Sequence, residues 1–292
     1  MTLTDPILIL GAGESGVGSA LLAKSLGARA FVSDAGEGKG PGVAELQAAG
    51  IDYEVGGHRY EEWPDVATVV KSPGIPESAA VVKECLERGW EVISDIEYAA
   101  RVHRALGHTN PVVAVTGANG KTTTTSMIDH MLRHEGWDVD YVGNIGTSWS
   151  RRLAERVARD EGAADATVIE VSSFQLDHIN SRFKPAVSVL LNITPDHMDR
   201  YPDFAAYRAA KLNIFGGCRA AVIARGFDVD LDAELWTFGD DPARGLRSIA
   251  RKPPVRLGQA TAGVGMPFDR NARPGAGHEP RDARQEVCCI GI

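Results

Sequence analysis

The chain has 292 residues, of which 43% are hydrophobic and 24% charged, and its formal net charge is −8. This length allows two domains with cores of their own, and the acidic balance argues against nucleic acid as the main partner. The longest apolar runs have the length of strands rather than of membrane spans, and the N-terminus lacks the basic segment of a signal peptide. The four cysteines show neither metal-ligand spacing nor a disulfide framework, which is typical of a reducing cytoplasm. We therefore expect a monomeric cytoplasmic protein that binds neither nucleic acid nor a membrane.

Strand and helix patterns alternate through the first third of the chain. A strand at Ile7–Leu10 is followed by a glycine loop, a helix over residues 17–26 and a strand over residues 30–33. Further helices are predicted over residues 42–49 and 79–88, and further strands over residues 53–55, 68–71 and 91–94. Such alternation predicts an α/β fold, in which helices cover both faces of a parallel sheet. The polar stretch at residues 106–110 is the predicted domain boundary.

The first glycine loop has two competing interpretations. Gly11, Gly13 and Gly16 follow a strand, and Asp34 ends the next one, as in the dinucleotide-binding fingerprint. Read alone, the pattern indicates an NAD-dependent oxidoreductase whose Asp34 holds a ribose. The motif is weak, however, because any nucleotide diphosphate fits the same helix N-terminus. The loop can equally hold a substrate diphosphate, with Asp34 at the base or sugar, or it can be a tight turn without a ligand.

The second glycine loop predicts a binding site for a nucleoside triphosphate. The apolar strand at residues 112–116 leads into this loop, and a helix follows to residue 134; the loop residues are Gly117, Ala118, Asn119, Gly120, Lys121, Thr122 and Thr123. Backbone N–H groups and the positive helix end face the anion in such a loop, while the lysine reaches its terminal phosphates. The Thr122 hydroxyl is placed to hold Mg²⁺. The loop departs from the common P-loop, since Val115 stands where a glycine is usual; a glycine turn with a surface lysine is the alternative.

Several polar side chains follow the strands of the second half. Its predicted strands cover residues 112–116, 167–171, 187–191 and 220–224, and its helices residues 122–134, 149–159 and 204–215. Glu170 ends one strand, while Asp196 and His197 follow another, so they face the sheet edge at which ligands bind. Lys211 lies one helix further on, and by itself it would be a solvated lysine. From Asp241 onward, eight Arg and one Lys stand against five acidic residues, and no helix or strand period is visible.

Taken together, the motifs resemble the Mur ligases of peptidoglycan synthesis, and the resemblance covers residues 5 to about 240. The segments that carry it are 13–16, 72–76, 117–123, 143–146, 170–176, 192–201 and 207–211. Ser-Ser-Phe-Gln and Asp-His-Met-Asp-Arg-Tyr are similar to the branch that adds D-glutamate. The resemblance implies a Rossmann-like UDP-substrate-binding domain over residues 1–107 and a P-loop-type central ATPase domain over residues 108–240. We expect an irregular tail over residues 241–292, and no third, amino-acid-binding domain.

The resemblance also implies roles for single residues. Lys121 and the rest of the loop from Gly117 to Thr123 would bind ATP, and Thr122 with Glu170 would hold a first Mg²⁺. His197 would ligate a second Mg²⁺, together with Lys211 after carbamylation by CO₂. The residues implied in binding the UDP-substrate are Ser15, Gly16, Asp34, Gly74 and Asn144.

The implied activity is the ATP-dependent joining of D-glutamate to UDP-N-acetylmuramoyl-L-alanine through an acyl phosphate. A truncated or frame-shifted reading frame would explain the tail, and we expect such a chain not to catalyse ligation. A two-domain module that binds the nucleotide or UDP-sugar without catalysis is the alternative. An NAD-dependent oxidoreductase is a third, which rests on the first glycine loop and Asp34 alone.

Overall fold

The first sheet of the molecule is five-stranded and entirely parallel. The computed structural model describes residues 2–179, 183–227, 229–241 and 246–252. The strands are β1 (Ile7–Leu10), β2 (Ala30–Asp34), β3 (Asp52–Val55), β4 (Thr68–Lys71) and β5 (Glu91–Ser94). Their order is β3-β2-β1-β4-β5. Every residue of β1 and β4 is buried, as expected for strands that are covered on both faces.

Four helices accompany this sheet: α1 (Glu14–Ser25), α2 (Pro41–Ala49), α3 (Ala80–Glu87) and α4 (Asp95–Ala105). The strand order reverses between β1 and β4, so the carboxyl end of β1 lies at a topological switch point, where α/β sheets bind ligands. The first glycine loop occupies this position between β1 and α1.

The second sheet has seven strands: β6 (Val112–Thr116), β7 (Val139–Gly143), β8 (Ala166–Glu170), β9 (Val187–Leu190), β10 (Ala220–Ala224), β11 (Glu234–Asp241) and β12 (Leu246–Lys252). Their order is β12-β11-β10-β9-β6-β8-β7, and only β12 runs antiparallel to its neighbour. The helices are α5 (Lys121–His134), α6 (Trp149–Ala158), α7 (Ser173–Leu176) and α8 (Phe204–Leu212). β6 is an inner strand between β9 and β8, so the second glycine loop, which follows it, lies at an inner position of its sheet edge.

The two sheets with flanking helices confirm the predicted α/β class. The prediction missed α4, α7, β7 and β11, and it assigned no secondary structure beyond residue 241. That assignment was wrong for residues 246–252, which pair with β11 as β12. The rest of the expected tail, residues 253–292, lies outside the described residues. The boundaries at residues 107 and 240 stay a prediction, although one sheet ends at Ser94 and the next begins at Val112. Among the described residues, no helix has both the length and the apolarity needed to cross a membrane.

The two sheets are joined through the contact of α1 with α6. Gly18 makes this close packing possible, because a Cβ there would lie 2.2 Å from Ser148 Oγ. Arg151 on α6 donates hydrogen bonds to the carboxylates of Glu14 and Glu45 in the first half of the chain. The glycine loop that precedes α1 is therefore held in a fixed relation to the second sheet.

Candidate functional site

The loop between β6 and α5 forms a cradle of backbone groups. Gly120 adopts a φ of +84°, a left-handed conformation that suits glycine and turns the chain into α5. Lys121 opens the helix, and its Nζ donates to the carbonyls of Gly117 (3.0 Å) and Ala118 (3.1 Å). Asn192, just after β9, braces the loop from the side, since it accepts from Asn119 N (2.9 Å) and donates to Asn119 O (3.0 Å). The structure thus places a lysine ammonium over a glycine turn at a helix N-terminus.

An oxygen-rich pair lies beside this cradle. Thr122 Oγ1 donates to Glu170 Oε2 at 2.8 Å, although the two residues come from α5 and the end of β8. Glu170 is only 1% exposed. Asn144 Nδ2 donates to the other carboxylate oxygen at 3.4 Å, and Asn144 N donates to the Glu170 carbonyl. Hydroxyl and carboxylate oxygens are ligands that Mg²⁺ prefers, so the donor set fits this ion.

Lys211 is buried against the same cradle. It lies on α8, is 2% exposed, and donates from Nζ to Gly117 O at 3.0 Å. The pKa of Lys211 is lowered to about 8, mainly by burial and also by the charge of Lys121, while Asp196 opposes the shift. A lysine with such a pKa has about a tenth of its amine neutral at pH 7, far more than an ordinary lysine, and the neutral amine is a nucleophile. The prediction of a functional Lys211 came from the resemblance alone, because its helix gives no such signal.

His197 lies in the loop after β9 and, unlike Lys211, is exposed. Its φ is +55°, and its side chain is 46% exposed. The ring lies 4.9 Å from that of Phe174 and 6.4 Å from that of Tyr207, and Nε2 lies 3.5 Å from Asp196 Oδ2. Within the described part of the chain, no three His, Cys, Asp or Glu side chains lie close enough together to hold a metal ion. A second metal site at His197 therefore stays a prediction.

The first glycine loop is organised by Asp34. One carboxylate oxygen accepts from Ala12 N and the other from Gly36 N, each at 2.6 Å. Gly16 allows the loop to close, since a Cβ there would lie 1.9 Å from Gly11 O. Ser15 donates a hydrogen bond to the buried carboxylate of Asp95. Asp34 and Gly16 thus shape the loop, and their contact with a UDP-substrate stays a prediction.

A cleft of about 290 Å³ separates the loops of the two sheets, and its walls include Lys71 and Glu77, which stand on either side of Gly74 in the sequence. Arg200 lines it from the His197 loop and donates to Pro73 O across the cleft at 3.3 Å. Its guanidinium lies 4.3 Å from the centre of the Phe174 ring. Arg200 and Phe174 stand inside motifs that the sequence singled out, but nothing in their spacing indicates that they meet.

Comparison with known proteins identifies the second half of the chain. Residues 115–231 match the family described as the Mur ligase middle domain. A UDP-N-acetylmuramoylalanine–D-glutamate ligase from Cytophaga hutchinsonii is 46% identical over 217 residues, which cover 73% of this chain and 45% of that protein. The enzyme of the same name from Salinibacter ruber is 42% identical over 71% of this chain and 44% of its own length. The chain spans less than half the length of these curated relatives.

Solved structures show the same fold. A UDP-N-acetylmuramate:L-alanyl-γ-D-glutamyl-meso-diaminopimelate ligase from Neisseria meningitides aligns with a TM-score of 0.54 at 21% identity, over 85% of this chain and 84% of that one. A UDP-N-acetylmuramate–alanine ligase from Thermotoga maritima aligns with a TM-score of 0.50 at 20% identity, over 80% of this chain and 54% of that one. The predicted resemblance to the Mur ligases, in sequence and in fold, is confirmed.

Proposed function

We propose, from the premise that residues 115–231 belong to the Mur ligase middle-domain family, that the chain is the UDP-substrate- and ATP-binding part of an amide-bond ligase. The proposed reaction adds D-glutamate to UDP-N-acetylmuramoyl-L-alanine in the synthesis of peptidoglycan, and hence of the cell wall. The observation that carries the proposal is the convergence of Lys121, Thr122, Glu170 and Lys211 on one glycine cradle. The relatives named for this reaction support it, because they match 73% and 71% of the chain.

The chemistry requires activation of a carboxylate. The L-alanyl carboxylate is a poor electrophile, so its oxygen attacks the γ-phosphoryl group of ATP, ADP leaves, and an acyl phosphate forms. The amine of D-glutamate then attacks the acyl carbon, phosphate leaves with the C–O bond electrons, and the amine loses a proton as the amide forms. The Lys121 ammonium can follow the phosphoryl group, since its present partners are two loop carbonyls that it can exchange for phosphate oxygens.

Thr122 and Glu170 are the residues that would hold Mg²⁺, and the ion would supply charge neutralisation on the transferring phosphoryl group. Their mutual hydrogen bond of 2.8 Å preorganises two oxygens toward one point. Asn144 donates a long hydrogen bond of 3.4 Å to the second Glu170 oxygen, which favours this orientation of the carboxylate.

We further propose that Lys211 carries a carbamate. Its neutral amine adds to CO₂, a C–N bond forms, and one proton is released to solvent. The product is an oxygen ligand instead of an ammonium, so it removes the repulsion between Lys211 and Lys121 beside the Gly117 carbonyl. Asp196 and His197 lie on the neighbouring loop, and His197 is the residue proposed to share a second ion with the carbamate.

The first glycine loop is proposed to hold the diphosphate of the UDP-substrate, with Asp34 shaping the loop and Ser15, Gly16 and Gly74 beside it. An NAD site is disfavoured, because the relatives that match the chain are named as ligases. The buried free thiols Cys85 and Cys218 are compatible with the reducing cytoplasm, where we place the protein as a monomer.

Calorimetry tests the binding half of the proposal. The chain should bind UDP-N-acetylmuramoyl-L-alanine and, separately, ATP with Mg²⁺, while Glu170→Gln should weaken only the second. NAD serves as the competing ligand. Tight binding of NAD, or no binding of the UDP-substrate, would overturn the proposal. In the complete enzyme, ADP release that needs both the UDP-substrate and D-glutamate tests the ligation itself.

A further inference from the structure

A buried carboxylate stands near the carboxyl end of β3, one strand beyond Asp34. Glu54 is 2% exposed and lies beside Ser33 of β2 in the parallel register. Its oxygens accept hydrogen bonds from Ser33 Oγ (2.5 Å), from Trp63 Nε1 (2.5 Å) and from the backbone N (3.0 Å) and Nε (3.1 Å) of Arg59. Burial opposes the ionisation of Glu54, but these hydrogen bonds outweigh it and lower the pKa of the carboxyl group. Glu54 is therefore ionised near neutral pH, and it can only accept hydrogen bonds.

The charge of Glu54 fixes the direction of a hydrogen-bond relay to His58. A serine hydroxyl has one proton, and Ser33 donates it to Glu54. Ser33 Oγ must therefore accept from His58 Nδ1, which lies 2.7 Å away and has to carry a proton. Burial lowers the pKa of His58, although the charges of Glu54 and Asp34 oppose this shift, so the ring is neutral near neutral pH. In a neutral imidazole whose Nδ1 is protonated, Nε2 is a hydrogen-bond acceptor.

The Nε2 atom of His58 is open to a ligand. The residue is half-buried, and Nε2 forms no hydrogen bond with any residue that the structure describes. It is not among the buried side-chain polar atoms that lack a partner in the described ranges, so it is accessible to solvent. Two aromatic rings orient the imidazole, since the ring centres of Tyr60 and Trp63 lie 6.2 and 6.0 Å from its own. An oriented acceptor that solvent can reach is suited to recognise a hydrogen-bond donor.

The position of His58 relative to the first glycine loop indicates which part of the UDP-substrate it meets. The diphosphate is proposed to lie at the loop after β1, and Asp34 ends the neighbouring strand β2. His58 follows β3, the next strand, and Gly56 N donates to Gly36 O at 2.7 Å, so the segments after β2 and β3 are in contact. Neighbouring strands are about 4.8 Å apart, which places the loop after β3 about 10 Å from the diphosphate. The base is the part of a nucleotide farthest from its phosphates, so it is the part that reaches His58.

We propose that His58 reads the base of the UDP-substrate, and that its Nε2 accepts a hydrogen bond from the N3–H group of uracil. The inference rests on the proposed function, because the diphosphate loop determines where the base lies. Uracil has a donor at N3, whereas cytosine has an acceptor there. Two acceptors that face each other repel and form no hydrogen bond, so the arrangement favours UDP over CDP. Glu54 and Ser33 act through His58, as positioning residues that set its tautomer.

Calorimetric titration of the whole chain with UDP, CDP and N3-methyl-UDP tests the assignment. The last two lack the N3–H group and should bind at least about fivefold more weakly than UDP. His58→Phe keeps a planar ring without the acceptor, so it should weaken UDP binding by about two- to twelvefold and reduce the preference for UDP over CDP. His134→Phe is the matched control, because His134 is an exposed histidine on α5. Unchanged melting temperatures would show that the variants remain folded.

The tautomer of His58 provides a readout that a purely structural role would not require. In protein with ¹⁵N-labelled histidine, the NMR signals that His58→Phe lacks should show a protonated Nδ1 and an unprotonated Nε2. Addition of UDP should shift the Nε2 resonance in the direction expected for an acceptor that gains a hydrogen bond. A protonated Nε2 in the free protein would contradict the relay from Glu54 and overturn the inference.

The binding results separate this inference from the proposed function. Absence of UDP binding removes the inference, and if UDP-N-acetylmuramoyl-L-alanine does not bind either, the proposed function fails with it. If UDP binds, but His58→Phe changes neither its affinity nor its preference over CDP, the inference alone fails. If His58→Phe retains the preference for UDP over CDP and instead loses a preference for UDP over 2′-deoxy-UDP, Nε2 contacts the ribose, and the assignment to the base is wrong.

Discussion

Gly117 O accepts hydrogen bonds from two ammonium groups, those of Lys121 and Lys211, each at 3.0 Å. Two positive charges around one carbonyl repel each other, and burial adds a desolvation cost for Lys211. The pKa of Lys211 falls to about 8 as a result, mainly because of burial. The arrangement favours any change that removes the Lys211 charge, and addition of CO₂ is such a change.

Carbamylation of Lys211 can be observed directly. After incubation with ¹³C-bicarbonate, the protein should show a carbamate resonance that Lys211→Ala lacks and the exposed-lysine control Lys83→Ala retains. The resonance should grow between about pH 6.5 and about pH 8.5, because the neutral, reactive amine becomes populated through a pKa of about 8. A carbamate at the N-terminal amine would appear in both proteins, so the test is the difference between their spectra; a Lys211→Ala spectrum that is the same as that of the parent would contradict the prediction.

Lys121→Ala tests the phosphate role of the cradle. Loss of a charge-assisted contact should cost about 1.5–3 kcal/mol, which raises the Kd for ATP with Mg²⁺ by about 10- to 150-fold. Affinity for the UDP-substrate should not change, since that ligand is assigned to the other sheet. Calorimetry on Lys121→Ala and on the control Lys83→Ala measures both. A similar loss in the two variants, or none in either, would argue against a specific phosphate contact.

The sequence correctly indicated which residues lie together where a motif follows the end of a strand. Thr122 and Glu170 were predicted to share a sheet edge, and the structure joins them by a hydrogen bond. Asn192 was not recognised as the brace of the cradle, because its contacts with Asn119 join loops that are distant in sequence. The burial of Lys211 could not be read from its helix either, since burial depends on how α8 packs against the cradle.

At the scale of elements, the loop between β1 and α1 depends on two glycines for different reasons. A Cβ at Gly16 would lie 1.9 Å from the Gly11 carbonyl oxygen, and because this oxygen belongs to the backbone it cannot move away easily. A Cβ at Gly13 would meet nothing within 4 Å, and the φ of Gly13 is −80°, which any residue adopts. Gly16 is therefore required by packing, whereas Gly13 leaves open space over the helix N-terminus.

Gly16→Ala should therefore lower the stability of the protein, whereas Gly13→Ala should weaken its binding of the UDP-substrate. We expect Gly16→Ala to lower the free energy of unfolding by about 1–3 kcal/mol, and Gly13→Ala to leave it within about 1 kcal/mol of the parent value. Gly13→Ala should weaken the UDP-substrate, because its methyl group takes space into which the diphosphate is proposed to enter. Urea unfolding and calorimetry measure the two effects. A stable Gly16→Ala, or a Gly13→Ala with unchanged affinity, contradicts this account of the loop.

Element prediction failed mainly where periodicity is weak or interrupted. β7 includes the polar Asp140, which is buried because Arg152 and Arg156 pair with it, so the strand does not show an apolar run. β11 ends in Gly239, Asp240 and Asp241, residues that are usual in turns, yet their pairing with β12 keeps this end of the strand extended. α4 follows β5 without a loop, and Ser94 serves as both strand end and helix cap.

At the scale of the whole molecule, a buried hydrogen-bond network joins the substrate loop to the metal edge. Asp95, which begins α4, accepts from Gln175 Nε2 at 3.2 and 3.0 Å and from Ser15. Gln175 Oε1 accepts from Ser172 N at 3.0 Å, two residues after Glu170. The first glycine loop and the end of β8 are thus held by one side-chain pair across the sheet interface.

Replacement of Gln175 by leucine tests this connection. Burial raises the pKa of Asp95, while the hydrogen bond from Gln175 lowers it, so removal of the amide leaves a carboxylate with less compensation. We expect a loss of about 1–3 kcal/mol in the free energy of unfolding near pH 8, measured in urea. Gln47→Leu, on the exposed side of α2, is the control.

The loss of unfolding free energy in Gln175→Leu should depend on pH. A carboxyl group whose pKa is higher in the folded protein than in the unfolded chain contributes stability at low pH, and this contribution is lost as the pH rises through the folded pKa. The pKa of Asp95 should rise further in Gln175→Leu, so the cost of the substitution should be smaller near pH 5 than near pH 8. The loss of the contact between Gln175 and Ser172 does not titrate, and it contributes equally at both values. A cost that is the same at both pH values would mean that Asp95 is not what Gln175 stabilises.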